Sequence, residues 1–144
     1  QDVRGSLNRL RPGALEGRTL KDALEKMIRE YQTLSNLQVD IHYEWVDVDM
    51  DVMIEDTIFR VIQESMTNAV RHGHASQMSL HFFENEEDYL IELQDNGVGF
   101  ETLTYGYGLK QMMERISILG GQLQFESRDG FFTRISLPKY KEGR

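Results

Sequence analysis

The 144 residues suffice for one domain, long enough to bury roughly 68 to 70% of its unfolded surface in a single core. With 40% apolar and 28% charged residues the composition is that of a globular protein, which excludes disorder, collagen and coiled coil as whole-chain descriptions. Lys plus Arg at 16 against Asp plus Glu at 24 leaves a net charge of −8, which argues against a nucleic-acid binder and requires any phosphate to be held locally. Cysteine is absent, so disulfide frameworks and thiolate metal sites are excluded. No apolar run approaches the roughly 18 residues of a membrane span and no basic-then-apolar leader opens the chain, so a soluble domain is expected.

Val3, Leu7 and Leu10 stand at helical spacing and stop at Arg11-Pro12-Gly13, the pattern of a helix tail that begins upstream. Thr19 opens a helix with Leu20, Ala23, Leu24, Met27, Ile28 and Tyr31 on one stripe, ended by Ser35-Asn36. Val39, Ile41, Tyr43 and Trp45 alternate with polar residues as in a half-buried strand. After an acidic turn at Asp47, Asp49 and Asp51 comes the strongest helix, with Ile54, Ile58, Val61, Ile62, Met66, Ala69 and Val70 toward the core, ending near Gly73. Met78, Leu80 and Phe82, then Tyr89, Ile91 and Leu93, read as an antiparallel hairpin about the turn Asn85 to Asp88. Asp95 to Gly108 reads as a glycine-punctuated loop. Leu109, Met112, Met113, Ile116 and Leu119 then form a helix closed by Gly120-Gly121, and a last hairpin turns at Arg128-Asp129-Gly130. This order predicts an α+β two-layer sandwich, with about three helices on one face of a mixed, mostly antiparallel sheet.

Several chemistries lack their motif: there is no G-x-x-x-x-G-K-[ST] loop, no kinase-type catalytic loop, no G-x-S-x-G elbow and no H-E-x-x-H pair. Asp47-x-Asp49-x-Asp51 has Val52 in place of the glycine of a calcium loop and Ile58 in place of its last glutamate. Asp51, Glu55 and Asp56 are expected instead to favour a helix N-terminus through its dipole. His72 and His74, two apart, do not share a helix face, and His42 and His81 carry no motif.

Three short segments carry more. Glu64 and Asn68 are four apart on a helix, so both side chains reach one site. Asp95-Asn96-Gly97-Val98-Gly99 follows a strand directly, and Gly106-Tyr107-Gly108-Leu109 directly precedes a helix. In this order and spacing, Gln63 to His72, Asp95-x-Gly97-x-Gly99 and Gly106-x-Gly108-Leu109 resemble the asparagine box and two glycine boxes of the Bergerat ATP-binding fold, shared by histidine kinases, gyrase B, Hsp90 and MutL. Leu10-Arg11-Pro12, followed by Leu15, Leu20, Ala23 and Leu24, resembles the segment joining phosphoacceptor helices to the catalytic domain in nitrate-sensor, hexose-phosphate-sensor and DesK-like histidine kinases. Glu114-Arg115 and Leu119-Gly120-Gly121 fit the same subfamily.

The resemblance implies residues 1–15 as the end of a dimerisation helix with its linker and 16–144 as an ATP-binding catalytic domain. It implies ATP and Mg²⁺ as ligands, Asn68 holding the metal, and Glu64 holding a metal-bound water or orienting the attacking imidazole. Asp95 is expected to accept from the adenine amine, with Gly97 and Gly99 admitting the base. Gly106, Tyr107, Gly108 and Leu109 would present backbone N–H groups to phosphate, and Arg71, His72 and Lys110 would offset its charge. The sequence also departs from the pattern. Only Phe100 to Tyr105 separates the glycine boxes, so a long lid is missing; Phe131 follows Gly130 where the family commonly has threonine, with Thr133 two residues later on the same strand face; and Met113 stands where arginine is frequent.

The function this implies is transfer of the ATP γ-phosphoryl to a histidine on a dimerisation helix outside this chain, for relay to a response-regulator aspartate. None of the four histidines present has a phosphoacceptor context. A nucleotide-gated interaction module without phosphotransfer and an anti-sigma-type serine kinase are the alternatives. The expected partners are ATP or ADP, the acceptor helix of the same kinase dimer and a response regulator, with no nucleic acid and no direct membrane contact. A cytoplasmic, bacterial location is expected, within a longer membrane-anchored protein.

Overall fold

The computed structural model describes residues 15, 17–99 and 108–139. The expected helix tail at Val3 to Leu10, its Arg11-Pro12-Gly13 stop, and Gly106 and Tyr107 lie outside these. Among the described residues the elements run α1 (Leu20–Leu34), β1 (Gln38–Tyr43), α2 (Val52–Arg71), β2 (Gln77–Glu84), β3 (Asp88–Asp95), α3 (Leu109–Ile118), β4 (Gln122–Ser127) and β5 (Phe131–Pro138). A single sheet has the order β1-β2-β3-β5-β4, parallel between β1 and β2 and antiparallel elsewhere, which is the α+β architecture expected.

Local chemistry sets the helix ends. The Thr19 hydroxyl accepts from the Asp22 N–H at 3.1 Å, satisfying one orphan donor of the first turn of α1. Ser35 closes that helix, its backbone N–H donating to the Tyr31 carbonyl at 2.9 Å and its hydroxyl to the same oxygen at 2.7 Å. Asp51 caps α2, Oδ1 accepting from the Met53 N–H at 2.7 Å, so the acidic turn serves the helix start as expected. Leu20, Ala23, Leu24, Met27 and Ile28 of α1 are buried at the spacing of one helical face. In α2, Ile58, Val61, Ile62, Met66 and Ala69 are buried, and so is Phe59, which lies off the expected stripe. Ile54 and Val70 are only half-buried.

All three helices join one apolar core with Met78, Leu80 and Phe82 of β2, Ile91 and Leu93 of β3, and Ile135 and Leu137 of β5. The alternate residues form the other face. Register aligns His42, His81, Glu92, Arg134 and Gln124 in a polar row across all five strands, with Arg134 paired to Glu92. Beside that row Phe132 is covered by the Arg128 guanidinium, 3.9 Å from the ring centre, a contact worth about 0.5 to 1 kcal/mol at an exposed site.

The two ends of the sheet differ in chemistry. At one, β1 stops at Tyr43, short of the expected Trp45. Trp45 is nonetheless buried: its indole N–H donates to the Phe83 carbonyl at 2.6 Å, and its ring stands edge-on to Phe82 and Tyr89. At the other, Met78 of β2 pairs with Asp95 of β3, and the C-terminal end of α2 enters β2. There the chemistry-bearing residues gather.

Candidate functional site

β3 continues through Asp95, which sequence reading placed at the start of a loop. Asp95 lies on the helix-facing side of the sheet, in line with Ile91 and Leu93, and is 6% exposed. Its Oδ1 accepts the backbone N–H of Gly97 at 2.8 Å and that of Phe131, from β5, at 3.1 Å. Both donors go to the same oxygen, and among the described residues no hydrogen bond reaches Oδ2. Burial pushes the carboxyl pKa up, and the two backbone hydrogen bonds partly oppose that shift.

Backbone packs on backbone around this carboxylate. A Cβ on Gly97 would come within 2.5 Å of the Gly73 carbonyl oxygen, which also accepts the Val98 N–H at 3.0 Å. Gly73 in turn donates to the Asn68 carbonyl at 3.0 Å, tying the loop after β3 to the end of α2. Gly99, at φ +69°, leaves no room for a side chain beside Ser127 Oγ and the Gly130 carbonyl, and a Cβ on Gly130 would run into the Asp95 carbonyl. The Asn96 side-chain oxygen accepts the N–H groups of Ser76 and Gln77, both at 2.9 Å, pinning the loop to the start of β2.

The second cluster lies in the helix layer. Asn68 on α2 is 5% exposed, and Glu64, one turn earlier, is half-buried. Gly108 precedes α3 in a left-handed conformation (φ 82°, ψ 0°) and offers no side-chain cap, so the first-turn N–H groups of α3 have no partner from that position. A Cβ there would stand 2.5 Å from Glu64 Oε2, which places the start of α3 against the Glu64 carboxylate. Leu109 is fully buried in the core, so only its backbone can serve a ligand, while Lys110 is exposed in the first turn. A cleft of about 130 Å³ opens here between α2 and α3, with Arg60, Gln63, Glu64, Gly108, Gln111 and Arg115 in its walls.

The remaining residues singled out from sequence are more scattered. Arg71 and His72 are exposed at the end of α2, where the His72 N–H donates to the Asn68 carbonyl at 2.9 Å. Thr133, 1% exposed, lies opposite Leu93 in the helix-facing row of β5, two residues from the backbone N–H that binds Asp95. Phe131, at the position commonly threonine, stacks on Phe125 with ring centres 5.4 Å apart. No group of three or more His, Cys, Asp or Glu able to hold a metal ion occurs among the described residues. Sequence reasoning missed Gly73, Asn96, Arg60 and Gln111. Each looks like an ordinary turn or surface residue until the segments meet.

A two-layer sandwich whose strand-end carboxylate and helix-borne Glu/Asn pair are each met by a glycine loop defines an ATPase domain of a known kind. The chain belongs to the histidine kinase-, DNA gyrase B- and HSP90-like ATPase family, with residues 53–141 matched. It is 34% identical over 142 residues to the signal transduction histidine-protein kinase/phosphatase UhpB of Salmonella typhimurium, spanning 95% of this chain and 28% of that protein. It is 32% identical over 139 residues to the sensor histidine kinase LiaS of Bacillus subtilis, spanning 94% of this chain and 38% of that protein. Its fold is shared with the histidine kinase AdeS of Acinetobacter baumannii, at a TM-score of 0.72 and 20% identity over 84% of this chain and 65% of that one. It is likewise shared with the blue-light activated histidine kinase EL346 of Erythrobacter litoralis, at a TM-score of 0.71 and 19% identity over 85% of this chain and 42% of that one.

Proposed function

We propose that the chain is the ATP-binding catalytic domain of a sensor histidine kinase, passing the ATP γ-phosphoryl to a histidine on a dimerisation helix and thence to a response-regulator aspartate. The observation that carries this reading is the approach of Gly108, at the start of α3, to the Glu64 carboxylate of α2. Asp95 supplies adenine selectivity: with Oδ1 taken by two backbone donors, Oδ2 accepts the exocyclic amine of the base. Gly97 and Gly99, whose Cβ positions are taken by the Gly73 carbonyl and by Ser127 with Gly130, shape the loop beside the base, and the buried Thr133 lies behind Asp95.

Phosphate meets the N–H groups at the start of α3, with Lys110, Arg71 and His72 contributing charge. Gly106 and Tyr107 belong to the same loop. Asn68 offers an amide oxygen and Glu64 a carboxylate, the hard donors that suit Mg²⁺, an ion bound through one or two side chains with phosphates and waters completing the shell. When bound, Mg²⁺ neutralises charge on the phosphate oxygens. Glu64 orients the incoming imidazole and takes its proton as the new P–N bond forms and the bond between the γ-phosphorus and the β–γ bridging oxygen breaks, releasing ADP. Residues 1–15 are read as the end of the dimerisation helix and its linker. No helix among the described residues is long and apolar enough to cross a membrane, consistent with a domain that works in the cytoplasm of a bacterium while the whole protein is membrane-anchored.

Calorimetric titration with ATP, with and without Mg²⁺, tests the nucleotide half. Asn68→Ala should abolish the Mg²⁺-dependent part of binding. Radiolabelled ATP with a fragment carrying the cognate acceptor helix tests transfer. The domain alone should acquire almost no acid-labile phosphate, and the acceptor should become labelled slowly in trans. Absence of ATP binding, or of labelling with an intact cognate acceptor, would overturn the proposal.

A further inference from the structure

The cleft between α2 and α3 holds two arginines that the nucleotide contacts described above do not use. Arg60 lies one turn before Glu64 on α2, and Arg115 lies one turn after Gln111 on α3. Arg60 is steadied from its own helix, with Nε donating to Asp56 Oδ2 at 2.9 Å, which leaves the other N–H donors of its guanidinium for a ligand. Neither Arg115 nor Glu64 forms an ion pair among the described residues. Two guanidinium groups, the uncapped start of α3 and one carboxylate thus border a single opening.

An opening of about 130 Å³ has room for one phosphoryl group with water around it. Guanidinium forks match phosphate oxygens in pairs, and the N–H groups opening α3 add donors of the same sense. Glu64 in the same wall sets a carboxylate beside whatever group the two guanidiniums hold.

We propose that Arg60 and Arg115 form a subsite for the terminal phosphate of the nucleotide and so make the domain discriminate ATP from ADP, with Asp56 as the residue that positions Arg60. This inference rests on the nucleotide reading above. ADP ends one phosphate short of the cleft, so the two arginines strengthen ATP binding alone. They also hold the γ-phosphoryl next to Glu64, where charge spreads over its oxygens during transfer.

The test is calorimetric and needs no acceptor. ATP and ADP are titrated, with Mg²⁺, into the parent and into Arg60→Gln, Arg115→Gln and Arg115→Lys variants. Lys26→Gln, on α1 and paired to Glu30, controls for loss of one positive charge. Each glutamine variant should lose at least about tenfold in ATP affinity, the loss expected from one charged hydrogen bond, while ADP affinity stays within twofold. Arg115→Lys should fall between, because it keeps charge without the fork, and Lys26→Gln should change neither ligand. Equal losses for ATP and ADP, or no loss for either, overturn the subsite while leaving the nucleotide reading standing. A parent that binds neither nucleotide overturns both.

Discussion

The Asp95 carboxylate and the backbone nitrogen of Phe131 lie 3.1 Å apart across the β3–β5 ladder, so the neighbouring strand itself holds the acid that faces the candidate base pocket. Asparagine at position 95 would accept the same two backbone bonds through its amide oxygen, but its nitrogen cannot accept from the adenine amine. Asp95→Asn should therefore keep the fold while losing about ten- to a hundredfold in nucleotide affinity. Burial raises the folded-state pKa of Asp95, so its contribution to stability is present below the unfolded value of roughly 3.9 and is lost as pH rises through the folded value. The asparagine variant should gain on the parent as pH rises through the folded value. Urea unfolding at acidic and at neutral pH checks the sign, and a margin that shrinks with pH would contradict it.

Gly108 serves both backbone conformation and space. Alanine there meets a left-handed φ of 82°, worth about 1 to 2 kcal/mol, and a Cβ 2.5 Å from Glu64 Oε2. The obstructing atom is the tip of a flexible side chain, so Glu64→Ala should relieve the steric part of the penalty and leave the conformational part. A double-mutant cycle by urea unfolding measures the two, with a positive coupling expected and complete rescue ruled out.

Trp45, the chain's single tryptophan, reports on the far end of the sheet. Its replacement by phenylalanine leaves the Phe83 carbonyl without its indole donor and should cost about 1 to 3 kcal/mol. Nucleotide affinity should stay within twofold, because Trp45 packs on Tyr89 at the end of the strands remote from Asp95. Parent fluorescence should shift to longer wavelength on unfolding as the buried ring meets water. A change in affinity comparable to the stability loss would show that the two ends of the sheet are coupled.

The helices were legible because each carries its own punctuation: Thr19 and Ser35 bracket α1, and Asp51 opens α2. Alternation located the strands, but it reports which side a residue faces and not which strand lies beside it. A mixed sheet was expected, but that its parallel pair is β1 with β2 was not given by alternation. The same limitation extended β1 to Trp45, which faces inward as expected although the ladder has ended. In the candidate site, Glu64, Asn68, Asp95 and Gly108 were readable from their spacing. Gly73 and Gly130 were not, since each is small in order to admit backbone from a distant part of the chain. Arg60 carries no motif of its own and Arg115 belongs to a family pattern; only the closeness of α2 to α3 gives them a common opening.

The contact of Gly130 with Asp95 also bears on how the domain is assembled over time. Asp95 and Phe131 are 36 residues apart in sequence, and α3 and β4 both lie between them. The β2–β3 hairpin can close locally, whereas one wall of the base pocket does not exist until β5 has docked along β3. A nucleotide that recognises the finished pocket thus binds after this long-range pairing, and its binding energy is absent from a transition state in which β5 is still loose. Saturating ATP should lengthen the lifetime of the native domain and leave the refolding rate almost unchanged. In stopped-flow measurements the unfolding arm alone would move.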